Sequence, residues 1–572
     1  MDLRGDWDYR LDSAGKLWLA YYDQNRLLRL RHPDGKEVLL VPEGRGQAPS
    51  GLALAALDQG VAVLWRDKHP AKGLYLLDTS QANMEPLEIG GDTEPLARFQ
   101  AIPGPGDLLH LLWYGEKVGE PTGEKHNLYY RQLNRKTLAL SPIELLMPGI
   151  YPVMATDTAG GVMVYSWLMG DKAQRIEARY RPAKQDANGG AGGFGEPVAI
   201  ADIPEMSTIF KAFQSGSRSF VMWLAQYGED KKDFLLEGAY SDDQGKTWKR
   251  FAFEDLRGID VASLQIATDQ TGHILLALAG RTRNDDAKTK QDIYVIRSAD
   301  RGDTWSSPTR LRHVMAQEGE QRDREIASLA RFNARNPSLA FGQVPGQVLV
   351  VWEDWRQIRS GLYASLSNDY GQTWTLSNVP LPGMPGKNLS LRYEPNAVYA
   401  DGDHFQVIAE QATDDAFVTK QLTPISLTSA QLEEYAKSNQ ATEQPATQAQ
   451  EQALRKREEG FWEAMLAGDY TKTYAYQDPF FRARNPLDHY LGSMGRIKYT
   501  QAEVVEVHID GPRADVKTRI TASVPAFKVP STGEMISEPE RTVIVKSTWL
   551  WLDGDWYREF TIESRDIVFT RY

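Results

Sequence analysis

Three stretches of this chain share one spelling: Ser241-Asp-Asp243-Gln-Gly245-Lys-Thr247-Trp248, Ser298-Ala-Asp300-Arg-Gly302-Asp-Thr304-Trp305 and Ser367-Asn-Asp369-Tyr-Gly371-Gln-Thr373-Trp374. All match Ser-x-Asp-x-Gly-x-Thr-Trp. At average residue frequencies five fixed positions coincide on the order of 10⁻⁷ per start site, so three copies form a true repeat. Each follows a strand-like run: Phe234 to Tyr240, Ile293 to Arg297 and Leu362 to Leu366. A short carboxylate accepts hydrogen bonds from turn amides and Gly adopts a positive φ, so the pattern reads as a hairpin turn whose Trp closes it against its own sheet. Asp243, Asp300 and Asp369 are therefore structural residues in this reading, with Trp248, Trp305 and Trp374 as their lids.

A looser repeat extends outward from these turns. Proline precedes an apolar strand at Pro49, Pro95, Pro152, Pro337 and Pro395, and a following strand ends in Trp65, Trp113, Trp167, Trp223 or Trp352. Units begin near residues 5, 49, 95, 150, 207, 260, 336 and 394 and the last ends near 424. The count favours eight four-stranded antiparallel sheets; seven stays open, because the last unit shows three clear strands and can borrow one from the N terminus. Four-stranded sheets repeated at this period pack radially into a β-propeller.

The repeated turns resemble the Asp-boxes, or bacterial neuraminidase repeats, of the sialidase-like propeller superfamily, over about residues 5–424. The resemblance implies a mainly β propeller. It does not by itself assign an activity, since the superfamily holds sialidases, other glycosidases and non-enzymatic binding proteins.

The sequence changes character after the repeats. Residues 426–452 lose aromatics and Gly and gain Gln, Ala, Thr and Glu, which reads as a helix and a Gln-rich linker between a propeller at 1–425 and a smaller domain at 453–572. In that domain a helix ends at Gly468, and alternating strands are joined at Asp510-Gly511 and Asp553-Gly554. With Gly468-Asp-Tyr470 after the helix and Trp549-Leu-Trp551 near the end, it resembles the nuclear-transport-factor-2-like (SnoaL-like) superfamily of α+β cones. That resemblance implies either a small-molecule pocket, for which Tyr474, Tyr476, Asp478 and His489 are candidates, or a docking or dimerisation role.

Composition excludes several classes. The 65 Lys+Arg against 77 Asp+Glu leave a formal charge of −12 without a basic stripe, which argues against nucleic acid as a ligand. Cysteine is absent, removing disulfides, thiolate metal sites and thiol nucleophiles. No apolar run approaches the ~18–20 residues of a membrane-spanning helix. The compartment expected is periplasmic or extracellular, with any leader absent from the chain. Nine His show no metal-ligand spacing. Asn284-Asp-Asp286 and Asp414-Asp415 read as solvated loop charge rather than calcium ligands. No metal or cofactor is expected.

The Asp-box turns join strands three and four of a sheet, so they share one face of the ring with the strand one–two turns. The opposite face, here the loop face, carries longer and more charged connections, including Arg66 to His69, Tyr114 to His126, Gly170 to Arg175, Tyr227 to Asp233, Arg281 to Asp292, Glu353 to Arg359 and Ser306 to Arg335. The last contains Arg322, Arg324 and Arg331 and a helix predicted over 323–331. Arg281, Arg335, Arg356 and Arg392 are the ligand-binding candidates. A sialidase-like enzyme would hold a substrate carboxylate with three arginines and use a Tyr–Glu pair and an Asp, for which Tyr393, Glu394 and Asp354 are the available residues. The N-terminal Arg-Ile-Pro signature of that family is missing. The reading therefore favours a non-catalytic propeller that binds a glycan or protein on its loop face, with the C-terminal domain docking a partner or a second copy; the alternative is an exo-glycosidase acting on acidic sugars.

Overall fold

In a computed structural model the structure describes residues 2–3, 5–41, 51–67, 73–81, 85–118, 127–169, 174–183, 192–229, 233–282, 291–311, 334–382, 388–392, 394, 396–416, 419–439, 448–495, 497–528, 534–562 and 567–568. Among them the chain is mainly β. Eight antiparallel sheets follow one another between residues 2 and 427, with inner strands at Trp7–Leu11, Leu52–Ala56, Thr93–Pro103, Ile150–Thr156, Glu205–Ser215, Ile259–Thr268, Ala334–Phe341 and Val398–Asp401; we number the sheets 1 to 8 in that order.

The second strand of each sheet is apolar on both faces near its middle, because both faces are covered by neighbouring sheets. An apolar cluster fills every junction from sheets 1–2 to sheets 7–8. A further cluster, with Trp7, Tyr9 and Leu19 against Ile408 and Leu422, joins sheet 8 to sheet 1. The sheets therefore form a closed ring. Its seam is hydrogen-bonded as well: Asp2–Leu3 pairs antiparallel with Lys420–Leu427 as the outer strand of sheet 8.

The three Asp-box turns have one geometry. Ser241 Oγ donates to Asp243 at 2.8 Å and accepts from the Gly245 amide at 2.8 Å, while Asp243 accepts from the Thr247 amide at 2.9 Å and its hydroxyl at 2.6 Å. The same bonds recur around Asp300 and Asp369. Positive φ is shared by two residues: Gly245, Gly302 and Gly371, and the residue before each, Gln244, Arg301 and Tyr370. The tryptophans do not close on their own sheets as the sequence suggested. Trp248 meets Tyr165 of sheet 4 edge-on at 5.9 Å, and Trp305 stacks on Phe251 of sheet 5 at 5.7 Å. The reason is the tight turn itself, which brings the Gly against the preceding sheet (Met163, Phe220 and Leu275 for the three copies) and carries the Trp with it.

After sheet 8, helix α1 (Ser429–Asn439) starts with a reciprocal cap between Thr428 and Gln431 and packs Leu432 against the sheet 7–8 junction. Helix α2 (Gln448–Ala467) begins before residue 452, so the linker boundary drawn there falls inside a helix. Its apolar face, Leu454, Phe461 and Trp462, lies on a sheet of Lys498–Asp510, Arg513–Lys528, Met535–Leu552 and Asp555–Arg558. Asp553 and Gly554 both have positive φ, as a two-residue hairpin of this sense requires. Glu458 is fully buried at the centre and accepts from Trp462, Thr518, Ser547 and Trp549, so its desolvation is offset by four donors.

Candidate functional site

The inner strands of sheets 3 to 7 change register near their loop-face ends, at Pro95/Phe99, Ile150/Val153, Met206/Phe210, Val261/Ser263 and Arg335/Ser338. Such bulges bend a strand and re-aim its side chains. In sheet 7 the bulge leaves Arg335 directly across from Glu353, and Asn336 takes φ +50°.

A cavity of about 610 Å³ opens there, lined by the loop-face ends of sheets 7 and 8 with Gly5 before sheet 1. This volume lies within the ~300–1,000 Å³ of small-molecule sites. Glu353, 1% exposed, anchors one wall: it accepts from Arg335 at 2.7 Å, from the Trp355 indole at 2.5 Å and from the Leu391 amide at 3.2 Å. Arg335 also lies over the Trp355 ring at 5.1 Å. Glu410 anchors the other wall, with Lys420 at 2.6 Å, the Trp7 indole at 2.7 Å and Arg392 at 3.8 Å. Arg392 in turn bonds Asp6 at 2.7 Å.

Two buried polar groups in the lining have no hydrogen-bond partner, Asn388 Nδ2 and Ser360 Oγ, although Asn388 Oδ1 accepts from the Ser360 amide at 2.8 Å. Leaving such a group unsatisfied costs about 1–3 kcal/mol. Glu394, at the cavity edge, reaches across the ring to pair with Lys211 of sheet 5. Withdrawal from water pushes its pKa up, but the Lys211 ammonium, with Arg98 and Arg10 adding to it, outweighs this and holds the carboxyl below its ordinary value.

The structure thus brings together Arg335, Arg392 and Glu394 of the sequence candidates. Arg281 is elsewhere, paired across its own sheet with Asp260 at 2.9 Å. Asp354 does not reach the cavity: it is buried on the opposite side of its strand and accepts from the Trp352 indole at 3.3 Å. Tyr393, the Arg356 side chain, Arg322, Arg324, Arg331, the helix expected over 323–331 and Asn284 to Asp286 lie outside the described residues. Asp414 and Asp415 bond Thr419 and Arg359. Among the described residues no cluster of metal-ligating side chains occurs.

In the C-terminal domain the four pocket candidates do not converge. Tyr474 bonds the backbone of Arg482 and Asn485, Tyr476 packs edge-on against Phe461, and His489 is exposed. Asp478 caps the short helix α3 (Pro479–Arg484), where burial pushes its carboxyl up to about 6.

Sequence reasoning missed Glu353, Trp355, Asn388, Glu410 and Lys420. Strand alternation held the signal for two of them: with Trp352 in the core, Glu353 and Trp355 point to the other side.

A family model described as a BNR repeat-like domain matches residues 198–393, the segment that carries all three Asp-boxes. Over that segment the chain is similar to the BNR repeat-like family. No curated protein matches the chain. Among solved structures, the polysaccharide lyase Uly1 is 12% identical with a TM-score of 0.40, over 66% of this chain and 90% of that one. The β-propeller domain of the Trilobed protease from Pyrococcus furiosus is 7% identical with a TM-score of 0.35, over 67% and 96%. The α-L-arabinofuranosidase Arb93A from Fusarium graminearum is 11% identical with a TM-score of 0.31, over 59% and 93%. Likeness at this level assigns no activity to this chain.

Proposed function

We propose that this chain is an eight-bladed BNR propeller that binds a neutral glycan, without turning it over, in the cavity between sheets 7 and 8, and that its C-terminal domain is of the nuclear-transport-factor-2-like type. One observation carries the choice of ligand: both arginines described in the cavity are already held by carboxylates, Arg335 by Glu353 and Arg392 by Asp6 and Glu410. A ligand carboxylate entering there would meet Glu353 and Glu410 as well as the cations. Sugar hydroxyls both donate and accept, so they match a wall of alternating carboxylates and cations and could supply partners for Asn388 and Ser360. Glu353, already accepting from Arg335, Trp355 and Leu391, serves as an anchor of the wall rather than as a proton carrier.

The test is titration of the full chain against a panel of neutral and acidic oligosaccharides, with aryl glycosides assayed for release of the aryl group. Neutral members are expected to bind, at least tenfold more weakly after Lys420→Ala, with no aryl release. Binding restricted to acidic members, or turnover of any glycoside, would overturn this reading in favour of the exo-glycosidase.

A further inference from the structure

The hairpin joining strands Val348–Gln357 and Arg359–Ser367 of sheet 7 does two things at once. Trp355 and Ser360 line the cavity, while Ile358 and Arg359, at the tip between them, face the C-terminal domain. Ile358 has φ +67°, a conformation that costs a β-branched residue roughly 1–2 kcal/mol. It is nevertheless 1% exposed, packed in a cluster with Phe480, Leu550 and Leu552 of the C-terminal domain. Burying such a side chain contributes about 1.5–3 kcal/mol, enough to offset that strain. The strained tip is therefore held in place by the second domain.

Arg359 extends the tie. Its guanidinium bonds Asp415 at 2.6 Å, Asp553 at 3.2 Å, and lies over the Phe480 ring at 4.9 Å. Asp415 belongs to the connection between His404–Ala412 and Lys420–Leu427, whose ends place Ala412 and Lys420 in the opposite cavity wall. A single side chain thus links both walls of the cavity and fastens them to the turn at Asp553.

We propose that Arg359 is a positioning residue of the binding site, through which docking of the C-terminal domain sets the spacing of the cavity walls. The proposal rests on the reading of the cavity as the ligand site. Linkage then requires reciprocity: if docking favours ligand, ligand favours docking by the same factor.

Amide hydrogen exchange on the full chain tests the tie without any ligand. Arg359→Ala is expected to speed exchange at least tenfold in residues 353–361 and 411–421 together, leaving the Asp-box turns unchanged. Asp553→Ala, a surface change in the other domain, is expected to speed the same two segments by a smaller factor. Acceleration confined to 548–558 in the Asp553 variant would overturn the proposal. The second arm uses the neutral oligosaccharide that binds most tightly in the panel: Asp553→Ala should weaken it at least threefold, and saturation should slow exchange at 550–557. Unchanged affinity would also overturn the proposal. If no glycan binds the unaltered chain, the glycan reading fails, while the exchange experiment still decides whether Arg359 couples the domains.

Discussion

The Asp-box carboxylates of the turn face and Glu353 and Glu410 of the loop face are satisfied over opposite ranges of the chain. On the turn face, Asp243, Asp300 and Asp369 bind amides and hydroxyls no more than four residues away. Asp12, Asp157 and Asp269 likewise hold amides two to four residues on in strand one–two turns that lack the full motif, although Asp12 also accepts from Trp18 and Asp157 from Tyr180. On the loop face, Glu353 reaches Leu391 across the sheet 7–8 junction, and Glu410 accepts from Trp7 at a separation of 403 residues. A carboxylate satisfied locally fixes a turn whatever lies beside it. One satisfied at long range fixes how two sheets meet, and so shapes the cavity between them.

Four substitutions test that contrast. The largest effect is expected from Glu353→Ala, which leaves Arg335, Trp355 and Leu391 without their shared acceptor. Arg335 is partly exposed and regains water, but the buried Trp355 indole and Leu391 amide do not, at a cost of about 1–3 kcal/mol each, read by urea denaturation with Trp fluorescence. A loss below about 1 kcal/mol would make the loop face as locally stabilised as the turn face. Next come the Asp-box glycines. A Cβ on Gly302 would lie 2.6 Å from the rigid Phe220 ring, whereas one on Gly245 meets the flexible end of Met163, its methyl at 2.6 Å and its sulfur at 3.0 Å. Both have φ +82°, so Gly302→Ala should cost about 2 kcal/mol and Gly245→Ala about 1 kcal/mol. Equal losses would show that the turn alone, not its neighbouring sheet, sets the cost.

The smallest effect concerns pH. Hydrogen bonds from the Thr247 hydroxyl and amide hold Asp243 down from 3.8 to about 2. A carboxyl lowered in the folded state contributes stability that is present above 3.8 and lost as pH falls through about 2. Tm measured across that window should therefore fall less steeply with acid in Asp243→Asn than in the unaltered chain. Parallel slopes would mean that the turn bonds do not favour the ionised form.

This contrast also explains what the sequence could reveal. The Asp-boxes were legible because the bonds of Asp243, Asp300 and Asp369 each close within an eight-residue word. The cavity was only partly legible because its residues meet across sheets. Arg335 and Arg392 stood out as loop-face cations, but their partners Glu353, Asp6 and Glu410 depend on cross-strand register and on which sheets adjoin at the seam. Asp354 falls on the Trp352 side of its strand and Glu353 on the cavity side, an alternation that holds only because the strand runs on to Gln357. Arg281 is also a loop-face cation, yet Asp260 opposite it in the ladder engages it away from the cavity. Nothing local to Ile358 signals a positive φ, which follows from a tip packed against a domain more than a hundred residues further along the chain.

The seam of the ring governs the order in which the molecule can be made. Sheet 8 takes its outer strand from Asp2–Leu3 and its remaining strands from the far end of the repeats, so the ribosome must release residue 427 before the circle can close. Until then the apolar flank of sheet 1, with Trp7, Tyr9 and Leu19, lacks its partners Ile408 and Leu422. Pairing across so long a stretch of chain is slow relative to forming each hairpin within a sheet. The nascent ring therefore passes through a long-lived open arc with two sticky ends, and that arc is the form a chaperone would have to shield.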